Sequence, residues 1–323
     1  MKLETLNMFW RFDLILVTFL LCQLYPVVGN NRLEFMASEE LTQLLNEEKY
    51  VVVLLSDGEE CQGKCQDLEE TLASVREDIV ESLNAWVVRS HSPEMSKEYG
   101  LIELKMSSAI VFVRSGVPLL YSGPPDDDEY MLHYIITNVE SVVHPLGDQT
   151  FEHETQAATG ATTGDWLVMF TKGGCNSCNY MRATLESVAA GLRGKKNVAI
   201  VDRDTDGGQT TRRFGIKEFP SFILFRLGRM YRYDLPLKDA ATLVAFANDG
   251  FRNARAESIP HPKTPFDDLV EQCADWLREN PSIVNAVMYS VVGLLVVFLV
   301  AAMGFFKSSP AKASKKQESK KKK

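Results

Sequence analysis

Two pairs of cysteines have a spacing that could support redox chemistry. Cys175 and Cys178 form a C-x-x-C pair, and Cys61 and Cys65 form a C-x-x-x-C pair. Where a strand turns into a helix, thiols at the C-x-x-C spacing place one sulfur at the helix N-terminus and the other behind it. The helix dipole stabilises a thiolate there. Cys175 is therefore predicted to attack disulfides, and Cys178 to resolve the mixed disulfide that forms.

A C-x-x-C pair is also half of a typical zinc site. A structural zinc ion needs four ligands, usually supplied by a second pair. The only other pair, Cys61 and Cys65, lies far away in the sequence, and the five histidines are scattered. We therefore predict no metal and no cofactor other than the cysteines themselves.

Strand and helix patterns surround the C-x-x-C pair. Residues 166–171 form an apolar run ahead of it, and residues 178–192 have helical spacing. Pro220 follows 45 residues after Cys175 and precedes the predicted strand 221–227. A proline at that point fits either the first residue of a strand or a cis peptide in a tight turn.

The order strand, cysteine turn, helix, strand, helix, strand occurs twice, so the sequence indicates a duplicated α/β unit. In the first copy, a β-branched run at 50–56 ends at an Asp-Gly turn, and a helix is predicted over 67–80. The predicted domains are 30–145 and 146–253.

Three segments of the second copy resemble a catalytic domain of the protein disulfide isomerase family. They are residues 165–178 (DWLVMFTKGGCNSC), residues 213–220 (RFGIKEFP) and residues 239–246. With the two chain ends described below, the whole chain resembles the membrane-bound, thioredoxin-related members of that family. The resemblance implies two tandem thioredoxin-like domains that exchange disulfides in secretory clients. It also implies that Cys175 is the nucleophile, Cys178 the resolving cysteine and Pro220 a cis-proline beside them.

Five positions depart from the family pattern. The family usually has a buried acid at the position of Met169, a tryptophan at that of Gly174, and Gly-His between the cysteines instead of Asn176-Ser177. At the position of the family's helper arginine this chain has Leu237, with Lys238 adjacent. These departures favour an alternative function, a redox-weak thioredoxin-fold scaffold or client-binding chaperone.

The first copy is further from the family. Cys61 and Cys65 enclose one residue more than the family pair, and the position that matches Pro220 falls near Ser107-Ser108. A disulfide between cysteines four residues apart is feasible at a helix entry. A structural or slowly exchanging Cys61–Cys65 bond is our main prediction, and a second redox site is the alternative.

Each end of the chain carries an apolar run. The first 29 residues have an apolar run of only eleven residues, 14–24, and predict a signal peptide rather than an uncleaved anchor. Residues 283–306 are 24 uncharged residues, which predict a transmembrane helix at 282–306 rather than a buried core helix.

The tail, residues 307–323, has eight lysines and one glutamate. By the positive-inside rule it is predicted to be cytosolic, with the N-terminal domains in the lumen of the endoplasmic reticulum. Lys320 and Lys321 also satisfy a di-lysine retrieval pattern that coat proteins recognise. The alternative is a plain stop-transfer tail attracted to anionic lipid.

Residues 254–281 join the second domain to the apolar run. They contain a proline-rich spacer and then a short amphipathic helix with the unpaired Cys273. This thiol is predicted to be free and buried, or to link two copies or a client through a disulfide. The net charge of −8 includes +7 from the tail, so the predicted luminal part carries −15, which argues against nucleic acid as a partner. The resemblance to the family implies disulfide-containing clients as partners.

Overall fold

The computed structural model describes residues 32–160, 163–262 and 265–307. The chain divides into two compact units, Met1–His261 and Pro262–Lys323. Two β-sheets, one in each half, form the first unit. The predicted signal peptide and nearly all of the lysine-rich tail, including Lys320 and Lys321, lie outside the described residues.

The first half contains a five-stranded sheet in the order β1-β3-β2-β4-β5. The strands are β1 (Glu34–Met36), β2 (Tyr50–Leu55), β3 (Trp86–Ser90), β4 (Ala109–Arg114) and β5 (Val117–Leu120). The helices are α1 (Ser38–Glu47), α2 (Lys64–Ser74), α3 (Arg76–Leu83), α4 (Pro93–Glu98) and α5 (Asp128–Thr137). β1, β3 and β2 are parallel, whereas β4 and β5 are antiparallel to their neighbours.

The second half repeats this order and adds one strand at the edge, giving β11-β10-β9-β7-β8-β6. The strands are β6 (Val143–Pro145), β7 (Trp166–Thr171), β8 (Asn197–Asp202), β9 (Ser221–Arg226), β10 (Arg229–Arg232) and β11 (Ala256–Ser258). The helices are α6 (Phe151–Thr155), α7 (Asn176–Leu192), α8 (Gly208–Arg213) and α9 (Ala240–Asn248), followed by a 3₁₀ turn at Gly250–Asn253.

The central strand of each sheet is buried on both faces. β2 reads YVVVLL and β7 reads WLVMFT, and every residue of β7 is buried. Such continuous apolar runs are typical of strands covered by helices on both sides. The α/β class predicted for both halves therefore agrees with the structure.

The two halves share a buried interface that is centred on α7. Ala183 of α7 packs into the core of the first half, beside residues such as Leu41 and Val111. Tyr134 Oη lies 3.2 Å from Ser187 Oγ, and Arg193 Nη2 donates to Asn138 Oδ1 at 2.9 Å. One helix thus contributes to the packing of both sheets.

The second unit contains α10 (Pro265–Glu279) and α11 (Pro281–Lys307). Within the part of the chain that the structure describes, no helix is long and apolar enough to cross a membrane. The fold prediction of a C-terminal transmembrane helix is corrected accordingly.

Candidate functional site

The C-x-x-C pair lies at the N-terminus of α7, directly after the central strand β7. Cys175 is the N-cap of the helix, and its Sγ accepts a hydrogen bond from the backbone N–H of Cys178 at 3.1 Å. The two cysteines form a disulfide with their Cα atoms 5.2 Å apart. A sulfur at this position faces the unpaired N–H groups of the first helical turn, which stabilise a thiolate after reduction.

The two sulfurs differ in burial. Cys175 is 9% exposed and Cys178 is 1% exposed. Cys175 is the more accessible to an incoming thiol, as expected when one cysteine attacks and the other resolves.

Pro220 lies at the same end of the sheet as the cysteine pair. Ser221, the next residue, pairs with Phe170 near the end of β7, and the cysteine loop leaves β7 one residue later. The Phe219–Pro220 peptide bond is cis. Lys238 Nζ donates a hydrogen bond to the Pro220 carbonyl oxygen at 3.3 Å. Lys238 follows Leu237, the predicted helper position, so the neighbouring lysine fixes the loop that contains Pro220. Leu237 itself is 54% exposed.

Asp204 anchors the loop ahead of Cys175, and the sequence alone gave no sign of this role. The N–H of Gly173 donates to Asp204 Oδ2 at 2.9 Å, and Arg203 Nε donates to Asp204 Oδ1 at 2.9 Å. Gly174 has φ of +65°, a conformation that favours glycine over the family's tryptophan. The aromatic ring of Phe219 lies beneath two cations, 5.5 Å from Lys172 Nζ and 5.8 Å from Arg203 Cζ.

The Asp204 anchor predicts a pH-dependent contribution to stability. The hydrogen bond from Arg203, followed by the charge of Arg203 and the Gly173 N–H, holds the pKa of Asp204 below its ordinary value. A carboxylate whose pKa is lower in the folded state stabilises the fold at pH values above its unfolded pKa of about 3.9. This stabilisation is lost as the pH falls through the pKa of the folded state.

We therefore expect Asp204→Asn to lower the urea midpoint at pH 7 and to leave it unchanged well below pH 3.9. Asp57→Asn, which changes an exposed aspartate ahead of Cys61, is the matched control. An equal difference from the unaltered chain at both pH values would contradict the assigned cause.

A small cavity of about 260 Å³, lined by residues of the second half, reaches Cys178. Met169, at the position of the family's buried acid, is fully buried in the core. Two carboxylates, those of Asp202 and Asp206, line the cavity together with Cys178. The acidic groups beside Cys178 therefore come from the cavity wall and not from β7.

A larger cleft of about 820 Å³ adjoins this cavity between the two halves. The cavity and the cleft share Pro145, Asn179, Arg182 and Ile200 as lining residues. The first half supplies the opposite wall, including Tyr99 and residues 116–118. The cleft therefore leads from the cysteine pair to a surface that both halves form.

The remaining cysteines lie apart from this site. Cys61 and Cys65 form a disulfide at the start of α2, with Cys65 3% exposed and Cys61 half-buried. The groove beside Cys61 is lined by four glutamates and two arginines, namely Glu59, Glu60, Glu69, Glu70, Arg32 and Arg89. The main expectation for Cys273 was a buried thiol, but it is unpaired and exposed on α10.

Comparisons with known proteins agree with this geometry. A sequence profile described as Thioredoxin matches residues 142–249. A Theileria parva protein described as "Thioredoxin domain-containing protein" is 33% identical over 187 residues, covering 54% of this chain and 84% of that protein.

Two solved structures are similar at lower identity. A crystal structure of ERdj5 (form II) is 16% identical with a TM-score of 0.30, covering 68% of this chain and 28% of the ERdj5 chain. The zinc-bound form of human ERp44 is 13% identical with a TM-score of 0.31, covering 68% of this chain and 57% of the ERp44 chain. The chain thus spans about a quarter to just over half of these two structures. On the strength of the Theileria parva relative, this chain belongs to the thioredoxin-domain family.

Proposed function

We propose that the chain is a thiol–disulfide oxidoreductase, with Cys175 as nucleophile, Cys178 as resolving cysteine and Pro220 as the cis-proline beside them. The observation that carries the proposal is the position of the C-x-x-C disulfide, whose more exposed sulfur caps α7. A thiolate released there is stabilised by the helix and remains open to a client.

Oxidation of a client begins with the disulfide form. A client thiolate attacks Cys175 Sγ, the Cys175–Cys178 bond breaks, and Cys178 leaves as a thiolate. A second client thiolate then attacks the client sulfur of the mixed disulfide and releases Cys175. The client loses two electrons and gains a disulfide, while the pair gains two electrons and becomes a dithiol. Reduction of a client disulfide is the same sequence in reverse.

Proton transfer at Cys178 is the step most affected by the departures from the family. Met169 cannot accept a proton, so we assign that role to the carboxylates in the cavity beside Cys178, with Asp202 at the end of β8 as the main candidate. This arrangement supports turnover without an acid in the central strand.

We place the protein in the lumen of the endoplasmic reticulum, acting on disulfide-containing clients of the secretory pathway. The predicted signal peptide at residues 1–29 supports this location. The Cys61–Cys65 bond fits the same oxidising compartment.

The alternative function is a thioredoxin-fold scaffold or client-binding chaperone. The cleft of about 820 Å³ between the halves favours it, because its walls include both apolar and charged side chains next to the cysteine pair. In this alternative, client binding survives when both cysteines are replaced by serine.

A glutathione redox titration of the full chain tests the proposal. Cys175 and Cys178 are followed by alkylation and mass spectrometry. We expect a midpoint between about −180 and −230 mV, the range of working exchange catalysts. A midpoint below about −300 mV, or no titration, marks a structural bond and favours the scaffold.

We propose that the Cys61–Cys65 bond is structural. Cys65 is 3% exposed and belongs to the core of the first half, and a buried cysteine is inert in exchange. The same titration reports on this pair, for which we expect a midpoint below about −300 mV.

The exposed thiol of Cys273 predicts a disulfide-linked dimer under oxidising conditions. Non-reducing electrophoresis of the full chain should show a dimer band that disappears with reductant and in the Cys273→Ser variant. Cys175→Ser serves as the control and should keep the band. A dimer that persists in Cys273→Ser would contradict the assignment.

A further inference from the structure

A groove of about 640 Å³ lies between the end of α8 and the edge strands β10 and β11 of the second half. It is lined by five arginines and one carboxylate, namely Arg212, Arg213, Arg229, Arg232, Arg255 and Glu257. We call this groove the arginine cavity. It is built from residues other than those that line the cavity at Cys178.

Arg213 is nearly buried in the wall of the groove. Its side chain is 7% exposed, Nη1 donates to Glu152 at 2.7 Å, and Nε donates to the Pro260 carbonyl at 2.8 Å. Its third nitrogen, Nη2, is buried and has no hydrogen-bond partner among the described residues. Unpaired buried donors are costly and rare in native proteins, so Nη2 adds uncompensated positive charge beside the groove.

Among the other arginines, Arg229 and Arg255 leave an excess of positive charge. Arg232 pairs with Glu257 at 3.3 Å and donates Nη2 to the Phe214 carbonyl at 2.7 Å. Arg229 and Arg255 are exposed, and their side chains make no hydrogen bond or ion pair with any residue that the structure describes. Guanidinium groups brought together in this way repel one another unless an anion lies between them.

We propose that the arginine cavity binds a small molecule that carries two or more phosphate groups. Guanidinium groups bind phosphate oxygens through paired hydrogen bonds. A volume of about 640 Å³ is within the range of small-molecule sites and exceeds what one phosphate fills.

The ligand group is expected to be phosphate rather than carboxylate, because a phosphate carries more negative charge. Each phosphate monoester carries a charge of about −1.5 to −2 at pH 7. Two such groups place a charge of about −3 to −4 close to Arg229 and Arg255 within one cavity, whereas an acidic peptide spreads single charges along its length. The proposal does not rest on redox activity, because the cavity contains no cysteine.

The test uses the full chain and inorganic pyrophosphate as the probe, followed by titration calorimetry at constant ionic strength. We expect saturable binding, and weaker binding of inorganic phosphate. The double variant Arg229→Gln/Arg255→Gln should lose at least about a hundredfold in affinity, since each lost charged hydrogen bond accounts for about tenfold or more.

The control variant Arg76→Gln/Arg252→Gln removes the same two charges from exposed positions outside the cavity, and its affinity should stay within about twofold. Melting temperatures of both variants without ligand verify that they are folded. The proposal is overturned by any of three results. These are no saturable binding up to about 10 mM pyrophosphate, equal losses in both variants, or tighter binding of polyglutamate than of pyrophosphate.

Discussion

The Cys175→Ser variant is expected to catalyse disulfide exchange no faster than the reaction without protein. Cys175 supplies the sulfur that is attacked or attacks in every step of the proposed cycle, and the serine hydroxyl forms no disulfide. The measurement is reduction of insulin disulfides by dithiothreitol or glutathione, with the full chain present at catalytic concentration. Circular dichroism verifies that the variant is folded.

Two further variants make this result specific. Cys178→Ala should accumulate mixed disulfides with clients on non-reducing gels, because the resolving thiol is gone while Cys175 still attacks. The matched control, Cys61→Ser/Cys65→Ser, removes the other disulfide and should keep its activity. Full activity in Cys175→Ser would refute the proposal that the chain is an oxidoreductase. Loss of activity in a folded Cys61→Ser/Cys65→Ser variant would assign a redox role to the first half.

The Arg114→Met variant is expected to lose about 3–5 kcal/mol in its free energy of unfolding. Arg114 is 4% exposed in the interface between the halves, where Nη1 donates to the Asn138 carbonyl and Nη2 to Glu186. Burial raises the pKa of Glu186, while hydrogen bonds from Ser141 and Arg114 oppose that rise. Without Arg114 the carboxylate of Glu186 is left buried and without its cation, which is the costly situation.

Urea unfolding of the full chain measures this loss. Arg252→Met is the control, because Arg252 and its partner Asp249 are both more than 70% exposed at 3.2 Å, and such pairs contribute about 0–1 kcal/mol. The double variant Arg114→Met/Glu186→Leu should recover most of the loss, since apolar replacements of a whole buried pair are often neutral. Equal losses in the single and double variants would show that burial of the Glu186 charge is not the cause.

The sequence predicted the elements with strong local signals. The apolar runs of β2 and β7, the C-x-x-C pair and Pro220 follow from composition and spacing. The helix predicted over 67–80 is instead two helices, α2 and α3, which meet at Val75 with φ of −98° and ψ of 3°. Hydrophobic spacing continues across that break, so periodicity alone does not reveal it.

Features that depend on long-range contacts could not be read from the sequence. The bond between Gly173 and Asp204 joins residues 31 positions apart, and the ion pair between Arg114 and Glu186 joins residues 72 positions apart. Polar residues of these types are usually exposed, so their sequence context gives no sign of burial. The short strands β1 and β6 are three residues each and carry too little pattern for a prediction.

The shared helix α7 also constrains how the chain is made. The first half leaves the ribosome before α7, yet Ala183 completes its core and Glu186 neutralises Arg114 at its surface. Until those residues emerge, a nascent first half exposes an apolar face and an unpaired arginine, the kind of surface that chaperones bind. Folding of the first half and formation of the Cys175–Cys178 helix should therefore be coupled during synthesis.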